Sequence, residues 1–333
     1  MSLINRLLPR ALVAAAVAVP ISGAAGSSAV PAPVPAVQPP LSSADPAVLA
    51  GRYAAGRTSI RAARTTAAEA GHPSRAAALG VMASGERRFL FFDGRDGGRS
   101  AEVLGDLSRA GAIAVLVPGS DTDLDSYARF HGSATRLAHQ LSQDTARPTT
   151  GEARGSAGVG GSGRASGMGG GAVVAWMGYR TPATASLAVL TTDLADAAAP
   201  DLRAFVRGLR AARPEARISL VCHSYGAVVC GSAAPGLPVD AIVLYGSPGT
   251  GADTAAALRT TAAVWAGRGA RDWIASVPHA RVPLPFATLG LGADPMSPGF
   301  GARIFPAGRA AHGDYLNTGS PSLRAISAIV AGA

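Results

Sequence analysis

The sequence predicts an α/β domain, with a doubly wound, mostly parallel sheet covered by helices on both faces. Two observations carry this reading. Continuous apolar runs recur at Ala112–Val117, Ala172–Met177 and Ala241–Tyr245, the pattern of strands buried on both faces. Segments with helical spacing alternate with them, and Gly/Pro/Ser clusters such as "VPGSDT" and "YGSPG" end the runs abruptly. A chain of 333 residues can bury the core that such a domain needs.

The elements follow in order. Arg6 and Arg10 precede an apolar run from Ala11 to Ile21, and small residues follow to Ala29. This is the layout of an export signal over residues 1–29. An uncleaved membrane anchor is the alternative, although the run falls short of the ~20 apolar residues of a comfortable span. Residues 30–46, rich in Pro, Ala and Val, read as a disordered tether. The domain is expected over 47–333. It opens with one or two Ala/Arg-rich helices over 47–83, then a strand at Phe89–Asp93 and its partner at Ser100–Leu104.

The strand at Ala112–Val117 leads to a helix over Asp125–Gln143. The segment 146–171, dominated by Gly, Ser and Ala, is expected to be a flexible insertion that packs against nothing. Alternation then resumes, with a strand at Ala172–Met177, a helix at Asp201–Arg213 and a strand at Ile218–Val221. A helix at Tyr225–Ala234 and strands at Ala241–Tyr245, Ala262–Ala266 and Ala302–Phe305 follow. A closing helix spans Ser322–Val330.

Composition narrows the partners. Apolar residues make up 48 % but aromatics only 5 %, so the core must be built from Ala, Val and Leu. There is no lysine, and the net charge of +9 rests on scattered arginines. Without a dense basic cluster interleaved with aromatics, no nucleic-acid partner is expected. Only Cys222 and Cys230 occur. They could form one bridge. A strand end and a helix position two turns on could equally hold their Cα atoms beyond the ~7 Å limit and leave two buried thiols.

The chemistry is expected at "RISLVCHSYGAVVCG", residues 217–231. A buried strand ends in Cys-His-Ser-Tyr-Gly and a small-residue helix begins at once, the setting of a strained nucleophile turn of pattern G-x-S-x-G. Ser224 is the candidate nucleophile, Gly226 fills the second glycine position, and Cys222 replaces the first. A serine needs a histidine to take its proton and a carboxylate to orient that histidine. His312, between the last strand and last helix, is the base, ahead of His279. His223 is expected to point away and to pack or hydrogen-bond locally.

For the acid, Asp272 follows a Gly-rich turn off a strand end and is favoured, whereas Asp253 is expected to cap a helix beginning at Thr254. Asp294 and Asp314 are further options, Asp314 lying too close in sequence to His312 to orient it easily. Tyr225 is expected to give one N–H to an oxyanion, and Gly119 or Ser120 the other. Trp176, Met177 and Tyr179 are candidates to line an acyl pocket, with strand core as the simpler reading of Trp176.

The motifs "VPGSDT", "AWMGYRTP", "CHSYG", "YGSPG", "GARDWI", "FGARIFPAG" and "HGDYL", in that order, resemble a family of actinobacterial α/β-hydrolases catalogued mainly as a domain of unknown function. The resemblance covers about residues 87–333. It implies an α/β-hydrolase fold with Ser224, Asp272 and His312 as triad. Cys222 departs from the glycine common there. The expectation is then a secreted or envelope-associated serine hydrolase cleaving a small or lipid-like acyl ester, with neither metal nor organic cofactor. Transient contact with a membrane or envelope surface fits that reading. A peptidase or thioesterase of the same fold, or a non-catalytic envelope-binding module, are the alternatives.

Overall fold

The computed structural model describes residues 30–146, 170–283 and 288–332. The expected signal (1–29) and nearly all of the Gly-rich insertion lie outside the described residues.

Eight strands form the main sheet: β1 (Arg88–Asp93), β2 (Arg99–Gly105), β3 (Ala112–Val117), β4 (Gly171–Met177), β5 (Arg217–His223), β6 (Ala241–Tyr245), β7 (Ala263–Gly267) and, after a small hairpin of β8 (Val282–Pro283) and β9 (Thr288–Leu289), β10 (Arg303–Ile304). Their order is β1-β2-β4-β3-β5-β6-β7-β10. From β4 to β10 all neighbours are parallel, while β1 and β2 pair antiparallel at one edge. The helices are α1 (Pro46–Glu69), α2 (Pro73–Ala83), α3 (Tyr127–Ala146), α4 (Asp193–Ala212), α5 (Gly226–Ala233) and α6 (Pro321–Ala331).

The alternation of side chains along each strand sorts these helices onto two faces. Ile113, Val115 and Val117 of β3 pack in one core with α4 and α5. Ala112, Ala114 and Leu116 point the other way, into a core closed by α3 and α6. Parallel strands buried on both faces must be apolar throughout, and β3, β4 and β6 are buried along their whole length. Every parallel strand therefore opens its carboxyl end toward the same rim, where ligands bind in such sheets.

Three expectations change. Residues 30–45 carry no helix or strand, yet they are no free tether: Leu41 and Ala44 are buried in the core, and Arg52 of α1 donates to the Pro40 carbonyl at 3.0 Å. α4 begins eight residues earlier than expected and runs through Pro200. Its buried stripe of Ala195, Ala198, Ala199, Leu202, Val206 and Leu209 outweighs the hydrogen bond that the proline removes. Asp253 caps nothing: it is exposed, and the short 3₁₀ turn at Ala256–Leu258 is tied instead by Thr254 Oγ1, which accepts from the Ala257 N–H.

Candidate active site

β5 ends at His223 and α5 begins at Gly226, so the direction of the chain reverses within two residues. The reversal forces Ser224 into the left-handed region at φ +52°, a conformation that costs a non-glycine residue about 1–3 kcal/mol. The strain holds because neighbours leave no alternative. The Ser224 N–H donates to the Tyr245 carbonyl at 3.1 Å. A Cβ on Gly226 would lie 2.4 Å from the Pro118 carbonyl oxygen, and one on Gly119 would lie 2.6 Å from Ser224 Cβ. The loop after β3 is thus pressed against the serine turn, and only glycine fits at either contact.

Cys222 and Cys230 are joined by a disulfide, with Cα atoms 6.5 Å apart. The possibility of two separated thiols does not hold. Counting residues along the helix overstated the distance, because the tight turn folds the start of α5 back beside β5, within bridging reach. The residue standing in place of glycine is thereby tied to the helix that follows.

Three expected residues meet at the rim. His312 Nε2 lies 2.9 Å from Ser224 Oγ, and His312 Nδ1 lies 2.9 Å from Asp272 Oδ1. Asp272 is 4 % exposed and sits at the start of the 3₁₀ turn Trp273–Ser276, where its Oδ1 also accepts the Ile274 N–H at 2.9 Å. The Tyr315 hydroxyl donates to Asp272 Oδ2 and accepts the Gly269 N–H at 3.0 Å.

Burial alone would raise the Asp272 pKa. The bonds from His312, Tyr315 and Ile274 outweigh it and hold the carboxyl below its ordinary value. An ionised Asp272 accepts from Nδ1–H, which leaves Nε2 unprotonated and facing the serine hydroxyl. Asp253 and His279 are not part of this line; His279 Nδ1 instead donates to the Pro248 carbonyl at 3.0 Å.

Two neighbours were not legible in these roles. His223 does not bond locally: its Nε2 donates to the His312 backbone carbonyl at 2.8 Å, across 89 residues of chain. Burial, then the neighbouring His312, pushes its pKa down to about 4 and keeps the ring neutral. Trp273 lies over the His312 ring with centroids 4.6 Å apart. The signals were present in "CHSYG", "GARDWI" and "HGDYL", but only the assembled sheet brings the three motifs together.

Among the described residues, the N–H groups of Gly119, Ser120 and Tyr225 have no intramolecular hydrogen-bond partner. They lie in the two segments expected to supply oxyanion donors.

Ser224 lines two cavities. One, of about 340 Å³, is apolar and includes Val189, Leu190, Trp273, Val277, Leu289 and Leu291. The other, of about 330 Å³, is the more polar of the two, with Asp121, Thr122, Ser126, Arg129, Ser133 and His312 in its wall beside Leu116, Pro118 and Phe130.

Trp176 and Tyr179 line neither cavity, which corrects their expected role in acyl binding. Trp176 is 1 % exposed, stacks on Tyr179 and packs near Phe205 in the α4 core, because its strand position points away from the rim. Tyr179 instead donates its hydroxyl to the Pro118 carbonyl at 2.7 Å and so holds the loop before Gly119.

Residues 93–282 match the alpha/beta hydrolase family, and the chain belongs to it. The match includes Ser224 and Asp272 and ends before His312. No curated protein matches the sequence. Among solved structures, the chain is similar to XC6422 from Xanthomonas campestris, described as an a/b serine hydrolase without lid. Identity there is 17 %, coverage is 73 % of this chain and 91 % of the other, and the TM-score is 0.42. Esterase PE8 gives 17 % identity, coverage of 70 % and 97 %, and a TM-score of 0.42. An alpha-beta serine hydrolase homologue from Coxiella burnetii gives 12 %, 74 % and 96 %, and 0.39.

Proposed function

We propose that the protein is a serine hydrolase that cleaves acyl esters through an acyl-enzyme on Ser224. The observation that carries this reading is the unbroken line Ser224 Oγ–His312–Asp272, with both hydrogen bonds at 2.9 Å and the serine at φ +52°. In acylation Ser224 Oγ bonds to the ester carbonyl carbon while its proton passes to His312 Nε2. The imidazolium is stabilised by Asp272. The N–H groups of Tyr225 and of Ser120 or Gly119 receive the oxyanion. The intermediate collapses, the carbon–alkoxy bond breaks, and Nε2 returns the proton to the departing alcohol. Water, deprotonated by the same nitrogen, then releases the acid and regenerates the serine.

Export is part of the proposal. The charged and apolar start of the chain supports it, as does the Cys222–Cys230 bridge, since disulfides persist in oxidising compartments.

Hydrolysis of p-nitrophenyl esters tests the chemistry. The wild type is expected to turn over an acetyl-to-decanoyl series, and Ser224→Ala to fall by at least ~10⁴-fold. Equal rates from both proteins would contradict the assignment.

A further inference from the structure

The two cavities at Ser224 differ in chemistry, and His312 decides which half of an ester each receives. The departing alcohol must lie within reach of the group that protonates it, so it leaves on the side of His312 Nε2. His312 and Gly313 line the polar cavity and are absent from the apolar one. The acyl chain is thereby assigned to the apolar side, against Val189, Leu190, Val277 and Leu289. At about 30 Å³ per methylene, similar to the share of a water molecule in the liquid, its volume has room for a medium-length chain of up to about eleven carbons.

The polar side carries groups without a partner of their own. Among the described residues the Arg129 guanidinium, the Ser120 hydroxyl and Asp121 Oδ2 make no hydrogen bond within the protein. Asp121 Oδ1 accepts the Thr184 N–H at 2.9 Å, which fixes the carboxylate, and Asp121 itself holds φ +56°. Arg129 projects from the first turns of α3 into the same cavity. A guanidinium donates only, a carboxylate accepts only, and a hydroxyl does both. Opposite charges across one cavity suit a neutral ligand that donates and accepts at once, so the set matches vicinal hydroxyls better than an anion or an alkyl group.

We propose that the substrate is a medium-chain acyl ester of a polyol, an acylglycerol- or acylsugar-type molecule. Its chain lies in the apolar cavity, and its free hydroxyls are held between Asp121, Ser120 and Arg129. This rests on the ester-hydrolase reading above. A polyol ester and an alkyl ester of octanoate lose different alcohols but leave the same octanoyl-Ser224, so any preference for the polyol resides in the acylation step alone.

The test compares 1-monooctanoylglycerol with ethyl octanoate at concentrations below aggregation, reading octanoate release by the full chain. The expected kcat/KM ratio favours the glycerol ester by about tenfold or more, the scale of one or two hydrogen bonds to charged groups. Asp121→Ala and Arg129→Ala should each lower that ratio severalfold, and circular dichroism checks that they fold. A ratio near one in the wild type, or a ratio unmoved in both folded variants, overturns the polyol assignment. Because ethyl octanoate would still be hydrolysed in that case, the serine-hydrolase reading would stand. If Ser224→Ala hydrolysed both esters like the wild type, that reading would fail as well.

Discussion

Among the described residues, two histidines each pair with a buried carboxylate and have a hydroxyl beyond, and the proposed function rests on only one of the two. At the rim, Asp272 Oδ1 and His312 Nδ1 are 2.9 Å apart, with Ser224 Oγ 2.9 Å beyond Nε2. Beside the antiparallel edge, Glu102 Oε2 and His131 Nδ1 are 3.0 Å apart, with Thr135 Oγ1 3.4 Å from Nε2. What differs is the use of each group. Thr135 donates its proton to the His131 carbonyl at 2.9 Å, as mid-helix threonines do, and the N–H groups around it are committed to α3. Glu102 is gripped by Arg87 through two bonds of 2.6 Å and by the Tyr127 hydroxyl at 3.1 Å. Its charge is spent on that cation. Among the described residues no Arg pairs with Asp272, so its field acts on His312, and Ser224 stands on a strained turn beside uncommitted N–H groups. The proposed chemistry needs a histidine–carboxylate pair with both ends free to act, and only the pair at the rim has that arrangement.

The comparison can be broken by paired substitutions. The largest effect is expected from Asp272→Asn, which would cost about 10⁴-fold in turnover by favouring the wrong tautomer of His312. Its melting temperature should change far less than its rate. A variant with near-normal turnover would show that the pair at the rim is no more than structural.

Glu102→Ala should show the reverse. It leaves the Arg87 guanidinium, whose side chain is 14 % exposed, without its partner, at a cost of about 3–5 kcal/mol on denaturant unfolding. Turnover per folded molecule should stay close to that of the wild type. Large loss of activity in the folded fraction would contradict the division of labour.

The smallest effect lies in acid. Burial raises the pKa of Glu102, and its bonds from Arg87 and His131 more than reverse the shift, so Glu102 and Asp272 both lie below their ordinary values. Each therefore contributes stability that is present above the ordinary carboxylate range and is lost as pH falls below it. His223 acts earlier. Its pKa falls from 6.5 unfolded to about 4 folded, so the unfolded chain binds the proton first, and stability declines as pH drops through that window. Melting temperature should fall from about pH 6.5 downward, and His223→Gln should flatten the curve above the carboxylate range. An unaltered profile in His223→Gln would place the acid sensitivity elsewhere.

Much of this was legible in the sequence, for physical reasons that also mark where reading stops. Ala112–Val117 and Ala241–Tyr245 are strands with the expected bounds, because unbroken apolar runs closed by Gly and Pro admit little else. Ser224, Asp272 and His312 each carry a local signal, a strand end or a glycine turn, and the order of strands brings such ends together. The apolar cavity left no comparable trace. Val189, Val277 and Leu289 lie in 3₁₀ turns, irregular loop and a two-residue strand, where no periodicity distinguishes pocket from surface. Tyr315 and His223 were visible as motif residues, but their bonds to Asp272 and His312 span 43 and 89 residues. Trp176 misled because a tryptophan in a strand near the active rim can face either side, and here strand parity sends it into the α4 core.

Covalent labelling by a fluorophosphonate tests the central claim most directly, with the modified peptide located by mass spectrometry. The expected result is one adduct per chain, on Ser224 within residues 217–231, absent in Ser224→Ala and slowed by orders of magnitude in Asp272→Asn. Glu102→Ala should label at the wild-type rate per folded molecule. An adduct on Thr135, or undiminished labelling of Ser224→Ala, would contradict the assignment of Ser224 as the nucleophile.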